Sequence, residues 1–203
     1  MKVKMNKNDR RYLKTEREIY KVFGQLLNQK NFDQITITDI TTLADINRGT
    51  FYLHYKDKHD LLSKCQQKFL SDLKSLSSTV EKLDIVEYYR SNKHIPFLVE
   101  MIKYYKENHL ILGALLKEKF DLTFKREIQN LMEENIFSIP NVKKQEQGTI
   151  SRNFLISYVF SAHFGIIREW LNQGMQESPE EIASLISRLS LQGFIKGSGI
   201  FNL

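Results

Sequence analysis

The chain has 203 residues, 41% of them hydrophobic and 27% charged, with a net charge of +6. That length supports a sizeable core, the balance is ordinary for a soluble protein, and three Pro and nine Gly leave little room for long flexible or sheet-rich stretches. A single cysteine, Cys65, excludes an intramolecular disulfide framework. No run approaches about 18 uninterrupted apolar residues, and the basic N-terminus leads into no apolar signal core, so the expected location is cytoplasmic.

Seven Lys or Arg residues precede position 18 (Lys2, Lys4, Lys7, Arg10, Arg11, Lys14, Arg17) against Asp9 and Glu16, and residues 1–8 read as a disordered basic arm. Residues 1–62 carry 12 basic and 8 acidic side chains, +4, and the remainder 18 and 16, +2, so most of the excess lies at this end. From Asp9 to about Gln29 the apolar residues Ile19, Val22, Phe23, Leu26 and Leu27 recur at helical spacing. Phe32 interrupts the polar connection that follows and is expected to plug a core.

The stretch 36–55 holds two short helical patterns. Thr36 can cap the first, with Asp39 completing a capping box, and Ile37, Ile40, Leu43 and Ala44 form its apolar side. Asp45, Ile46 and Asn47 break the pattern. Asn47 can cap a second helix whose first turn is Arg48, Gly49 and Thr50 and whose apolar side is Phe51 and Tyr55. Helix, tight turn and helix describe a helix-turn-helix, whose second helix enters the DNA major groove. The small core expected around it is Phe23, Leu26, Leu27, Phe32, Ile37, Ile40, Leu43, Ile46, Phe51 and Tyr55.

The residues Thr36-Ile37, Ile40, Ala44, Gly49-Thr50-Phe51-Tyr52, Tyr55, Lys58 and Asp60-Leu61-Leu62 resemble the tetracycline-repressor-like (TetR) transcriptional regulators. Asp45 stands where that family usually has Gly, and Thr41 where it usually has a small Ala. Asp tolerates the left-handed turn conformation at modest cost, which predicts a slightly strained turn in an intact fold. The candidate DNA-binding residues are Thr36, Thr38, Asn47, Arg48, Gly49, Thr50, Tyr52, His54 and Lys58. Arg48 can fork onto guanine O6 and N7 or meet a phosphate, and both stay open. Gly49 permits close backbone approach, and Thr50 offers a hydroxyl and a methyl. Tyr52 and His54 are expected on the outward side of the helix, and Thr36 and Thr38 at a helix N-terminus that attracts phosphate. The resemblance implies phosphate contacts for Tyr52 and Lys58.

Asp57 can cap a fourth helix, with Leu61, Leu62, Cys65, Phe69 and Leu73 as its stripe to about Leu76, and Cys65 reads as a packed thiol. Further helical patches run over 80–89, over 95–108 after the break at Ser91–His94, over 110–117 and over 120–137, before a polar loop from Pro140 to Gln147. A long helix from Thr149 to Gly174 is apolar nearly all round, with Ser157, Ser161 and Gly165 as a narrow ridge. Pro179 opens a last helix to about Gly193, striped by Ile182, Leu185, Ile186 and Leu189. Ser157, Ser161, Gly165, Ile182, Leu185, Ile186 and Leu189 are the candidate dimer interface of a four-helix bundle shared by two copies; packing within their own domain is the alternative.

The expected plan is all-α: an N-terminal three-helix helix-turn-helix domain (9–57) joined by a fourth helix to a C-terminal regulatory and dimerisation domain (58–203). The resemblance implies that this second domain binds an inducer, and Gly165-Ile166-Ile167-Arg168-Glu169-Trp170-Leu171 with Ser178-Pro179-Glu180-Glu181-Ile182 is similar to a Firmicutes-type subgroup. Tyr104, Tyr105, His109, Phe120, Phe124, Phe154 and Tyr158 are the candidate pocket residues, or simply core. His163 is a further polar candidate. The histidines are scattered, no His-Glu-x-x-His, cysteine pair, phosphate loop or Gly-x-Ser-x-Gly elbow occurs, and neither an enzyme, a metal nor a cofactor is expected. The expected function is a homodimeric DNA-binding regulator, a repressor released by a small molecule or a protein. The alternatives are an activator of the same kind and a helical interaction adaptor with weak or degenerate DNA binding.

Overall fold

The four residues from Thr36 to Asp39 show how this chain starts its helices. The Thr36 hydroxyl accepts the Asp39 N–H at 3.1 Å, while the Asp39 carboxylate takes the Thr36 N–H at 2.8 Å, a reciprocal capping box. The Lys30 ammonium adds a contact of 2.9 Å, and its hydrogen bond, followed by those of Thr36, holds the Asp39 carboxyl down to about 2. The same box recurs at Ser178 and Glu181, and Asp57 caps a third helix through the N–H groups of His59 and Asp60.

The computed structural model describes residues 10–91, 93–116, 122–143 and 151–197. The expected basic arm 1–8, Phe120, and the start of the long helix at Thr149 lie outside these residues. Among them the regular structure is helical: α1 (Arg10–Gln29), α2 (Ile37–Leu43), α3 (Arg48–His54), α4 (Lys58–Leu76), α5 (Ile85–Ser91), α6 (Pro96–Glu107), α7 (His109–Leu115), α8 (Leu122–Ser138), α9 (Pro140–Lys143), α10 (Arg152–Asn172) and α11 (Pro179–Gly197). Short 3-10 turns occur at Phe32–Gln34 and Val80–Lys82. The patch expected as one helix over 80–89 is therefore split, because Asp84 accepts the N–H groups of Val86 and Glu87 and starts α5 afresh. The loop expected from Pro140 begins instead with the single turn of α9. No helix of the described residues is long and apolar enough to cross a membrane.

The chain divides into two compact units, Met1–Lys68 with Leu110–Phe120, and Phe69–His109 with Asp121–Leu203. The division thus falls inside α4, after Lys68, and most of α7 belongs with the N-terminal unit. A physical reason for the second point is Gly24 in α1. A Cβ there would meet the Ile111 backbone nitrogen at 2.7 Å and the Leu110 carbonyl carbon at 2.9 Å. Asn28 fastens the same approach by donating to the Leu110 carbonyl at 2.6 Å.

The core of the first unit is Ile19, Val22, Phe23, Leu26, Leu27, Ile35, Ile40, Ala44, Phe51, Tyr55, Leu61, Cys65 and Ala114, with Phe32, Ile37, Ile46 and Ile111 packed against it. Leu43, expected inside, is half-exposed at 50%. Ile35, immediately before the cap, takes a fully buried place on the same side as Ile40, the arrangement of a hydrophobic staple. Thr41 fits its buried position because its hydroxyl donates back to the Thr38 carbonyl.

In the second unit α11 packs on α6 and α10 packs on α8. A buried hydroxyl joins α11 to the start of α6: Ser187 Oγ accepts the Ile95 N–H at 2.9 Å and donates to the Ala183 carbonyl at 2.7 Å. α10 ends in a Schellman motif, with Gly174 at φ 79° and the Met175 N–H on the Trp170 carbonyl at 2.9 Å. Between α10 and α11, His163 Nε2 lies 2.7 Å from Ser190 Oγ, and burial pushes its imidazole down to about 4.

Two outcomes follow. Gly24→Ala should destabilise the fold by about 1–3 kcal/mol, since the close backbone contact outweighs a helix-propensity gain of about 1 kcal/mol; urea unfolding measures it. His163 titrates near 6.5 when unfolded and near 4 when folded, so the folded state disfavours the proton and stability should fall as pH drops from about 6.5 to 4. His54 is shifted in the same direction. His163→Gln should therefore flatten, without abolishing, the loss of thermal midpoint between pH 7 and pH 5.

Candidate nucleic-acid interface

The turn between α2 and α3 positions the whole site. Asp45 takes φ 50°, its N–H bonds the Thr42 carbonyl at 3.3 Å, and the Ile46 N–H bonds the Thr41 carbonyl at 3.0 Å. This is a Schellman motif with Asp in the left-handed place that Gly usually fills. Asn47 follows with extended backbone and caps α3: its Oδ1 accepts the Thr50 N–H at 2.7 Å and the Thr50 hydroxyl at 3.0 Å. Thr36, Asn47 and Thr50 thus spend their side chains on holding the two helices.

One side of α3 is sunk into the core. Phe51 is fully buried, Tyr55 follows at 2% exposure, and His54 lies between them at 5%. The His54 ring stacks on Tyr12 of α1 at 3.9 Å, and its burial lowers the imidazole. The outward position expected for His54 is therefore corrected. At helical spacing residues 51, 54 and 55 share one face, and only a strand would turn 52 and 54 out together between 51 and 55.

The opposite side carries Arg48, Gly49, Tyr52 and Leu53, all exposed. Arg48 Nη2 donates to the Tyr52 hydroxyl at 3.2 Å across one turn, and the guanidinium carbon lies 5.7 Å from the Tyr52 ring centroid. A Cβ on Gly49 would meet only Asn47 Oδ1, at 3.2 Å. Leu53, 60% exposed, was not among the expected site residues, although the same helical periodicity places it here. Thr38 and Thr42 are exposed on α2.

Lys58 is placed differently from the phosphate contact expected of it. Its ammonium sits 3.0 Å from each of the Phe32, Asp33 and Ile35 carbonyls, and 4.7 Å from the Phe32 ring centroid. A lysine has three N–H donors, and all three are engaged here in closing the end of the 3-10 turn before α2.

The expected pocket residues separate into two groups. Phe69 gathers Tyr104, Tyr105 and Phe124 with ring centroids 6.0, 5.9 and 5.7 Å away, and the Tyr104 hydroxyl donates to Asp72 at 2.9 Å. Phe154 and Tyr158 do not join them: they are 74% and 62% exposed on the outer face of α10, whose inner face is Ile156, Ile167 and Trp170. His109 is held locally, with Nδ1 2.9 Å from the Lys106 carbonyl. Of the expected dimer residues, Ser157 and Ser161 are exposed and Gly165 has open space beside it, on the Phe154–Tyr158 side of α10. Ile182 and Ile186 are 4% and 0% exposed within the chain itself, so they are core residues of α11, and Leu185 and Leu189 are half-buried.

Arg48→Ala should leave the thermal midpoint unchanged and weaken DNA binding roughly tenfold or more, the order of a lost bidentate base contact. Lys58→Ala should lower the midpoint, because the Asp33 and Ile35 carbonyls lose the ammonium and the Phe32 carbonyl keeps only the Ile35 N–H. Thermal unfolding beside a mobility-shift titration separates the two.

Two family models match the chain, one described as bacterial regulatory proteins of the tetR family over residues 24–65, the other as a transcriptional regulator C-terminal region over residues 92–192. A relative from Lactococcus lactis, the HTH-type dhaKLM operon transcriptional activator DhaS, is 25% identical over 186 residues, 91% of this chain and 92% of that protein. The HTH-type transcriptional repressor DhaR of a Mycobacterium species is 27% identical over 38% of this chain and 40% of its own. The solved structure of a TetR transcriptional regulator from Streptococcus agalactiae superposes with a TM-score of 0.56 at 23% identity, covering 90% of this chain and 96% of that one. With a capped helix-turn-helix at one end and the matching regulatory region at the other, this chain belongs to the TetR family of DNA-binding transcriptional regulators.

Proposed function

We propose that two copies of the chain associate through the outer face of α10 and bind a roughly palindromic operator, with their α3 helices about one helical turn, or a multiple, apart. The observation that carries the DNA contact is the free face of α3: Arg48, Gly49 and Tyr52 lie exposed on a helix held from behind by Phe51, His54 and Tyr55. Arg48 and Tyr52, joined by their hydrogen bond, serve a base edge and a phosphate respectively. The excess positive charge before residue 63 supplies the salt-dependent attraction to the backbone.

Support for the pairing is the stripe Phe154, Ser157, Tyr158, Ser161 and Gly165. It is long, aromatic at one end and narrow at the other, and Phe154, Ser157, Tyr158 and Ser161 lie exposed although one side of α10 is already buried. An apolar surface of that kind marks an interaction site, and small residues let a second helix come close.

The regulator acts as a repressor, since occupancy of a promoter needs no surface beyond those described. A small molecule or a protein partner releases it, by no more than its differential affinity for the bound and released arrangements. Activation is the second reading, favoured by the printed role of the Lactococcus lactis relative that spans nearly the whole chain. A genome-wide binding footprint combined with transcription from the bound promoter in vitro distinguishes the two. Operator binding insensitive to salt and without a footprint would instead favour an interaction adaptor.

Tyr158→Glu should leave the helical content intact, because the side chain is largely exposed, and should shift the protein to monomer in sedimentation. Loss of bivalent engagement should weaken operator binding by about 10²–10⁴-fold. A Tyr158→Glu protein that remains dimeric would remove α10 from the interface.

A further inference from the structure

Leu53 is the most exposed large apolar side chain of the described N-terminal unit, at 60%, and it lies on the face of α3 opposite Phe51, His54 and Tyr55. A leucine in that place gains nothing from water and offers nothing to a phosphate. Its neighbours on the face divide the remaining work. Arg48 and Tyr52 are joined at 3.2 Å along one edge. Gly49, one turn before Leu53, has no side chain to hold the helix away from what it meets, and a Cβ there would find only Asn47 Oδ1 within 4 Å. The exposed surface of α3 is therefore polar on one edge, bare in the middle and apolar on the other edge.

We infer that Leu53 reads the C5-methyl group of a thymine in the operator, and so sets a T·A preference beside the base contacted by Arg48. This rests on the proposal that α3 enters the major groove. Of the groups that base pairs display there, the thymine methyl is the one with no hydrogen-bonding character, and an apolar side chain is its complement. The methyl is absent from cytosine, and the corresponding edge of a purine presents polar atoms, so the contact sets T·A apart from the other three pairs. The bare backbone at Gly49 brings the isobutyl group deep enough to touch the base. A longer residue at 49 would hold Leu53 at the level of the sugar-phosphate walls.

The test uses the full-length protein and the duplex it enriches from a randomised pool, with each thymine of the duplex replaced in turn by deoxyuridine, which removes only the methyl. At one thymine in each half-site the wild type should lose about fourfold in affinity per methyl, the order for one buried methyl group. Leu53→Ala should bind the unsubstituted duplex more weakly and be indifferent to deoxyuridine at that position. Its thermal midpoint should match that of the wild type, because the side chain it lacks is largely exposed. A Leu53→Ala protein that weakens equally on thymine and deoxyuridine duplexes would overturn the inference and place Leu53 against the backbone. Equal binding of wild type to every deoxyuridine duplex would also overturn it. Failure to enrich any duplex would overturn the operator reading, and this inference with it.

Discussion

The grip of the core on one side of α3 is the constraint from which the functional surface follows. A seven-residue helix has little stability of its own. Here Asn47 closes its first turn, and Phe51, His54 and Tyr55 anchor the remainder, with Tyr12 stacked over the imidazole. Because those three residues fix the rotation of the helix about its axis, the residues on the other side have no freedom to choose their direction. Arg48, Gly49, Tyr52 and Leu53 face outward as a consequence of packing behind them.

The angle at which α3 leaves α2 has a separate origin. Two hydrogen bonds, from Asp45 to Thr42 and from Ile46 to Thr41, close the turn, and Ile46 packs against the core beyond it. Asp at φ 50° costs more than Gly would, yet the neighbouring bonds and the buried Ile46 over-determine the conformation. Lys58 contributes from the other side. By collecting three carbonyls it fixes the segment that delivers Ile35 and Thr36 to the start of α2. A lysine that a linear motif presents as a DNA contact is here part of the frame.

Much of this was legible in the residues alone. Caps announce themselves locally, and Thr36–Asp39, Asn47, Asp57, Pro179 and Gly174 lie at helix ends as the patterns indicate. Helical periodicity also placed Ile19 to Leu27 inside. What failed did so for identifiable reasons. His54 faces inward and Leu53 outward because 51, 54 and 55 share one helical face, which an alternating pattern of the same residues hides. Leu43 sits at the last turn of α2, where a stripe runs off the edge of its partner. Phe154 and Tyr158 look like pocket residues because aromatic side chains on an apolar helix carry no mark of which face they occupy; only the packing of Ile156, Ile167 and Trp170 decides that. The close approach at Gly24 involves residues more than eighty positions apart, and nothing local foretells it.

Cys65 is the chain's single thiol, and it lies in the core at 4% exposure with burial pushing its ionisation well above the ordinary value. A thiol that is neither accessible nor ionised reacts slowly with alkylating probes. The wild-type chain is therefore close to a blank background for site-directed labelling. Single cysteines introduced on exposed positions away from the proposed contact surfaces, at Glu18 on α1 or Glu134 on α8, would take fluorophores or spin labels selectively without first removing the native one. Distances between paired labels would then follow each helix as the protein meets DNA or its signal, with the core left as evolution packed it.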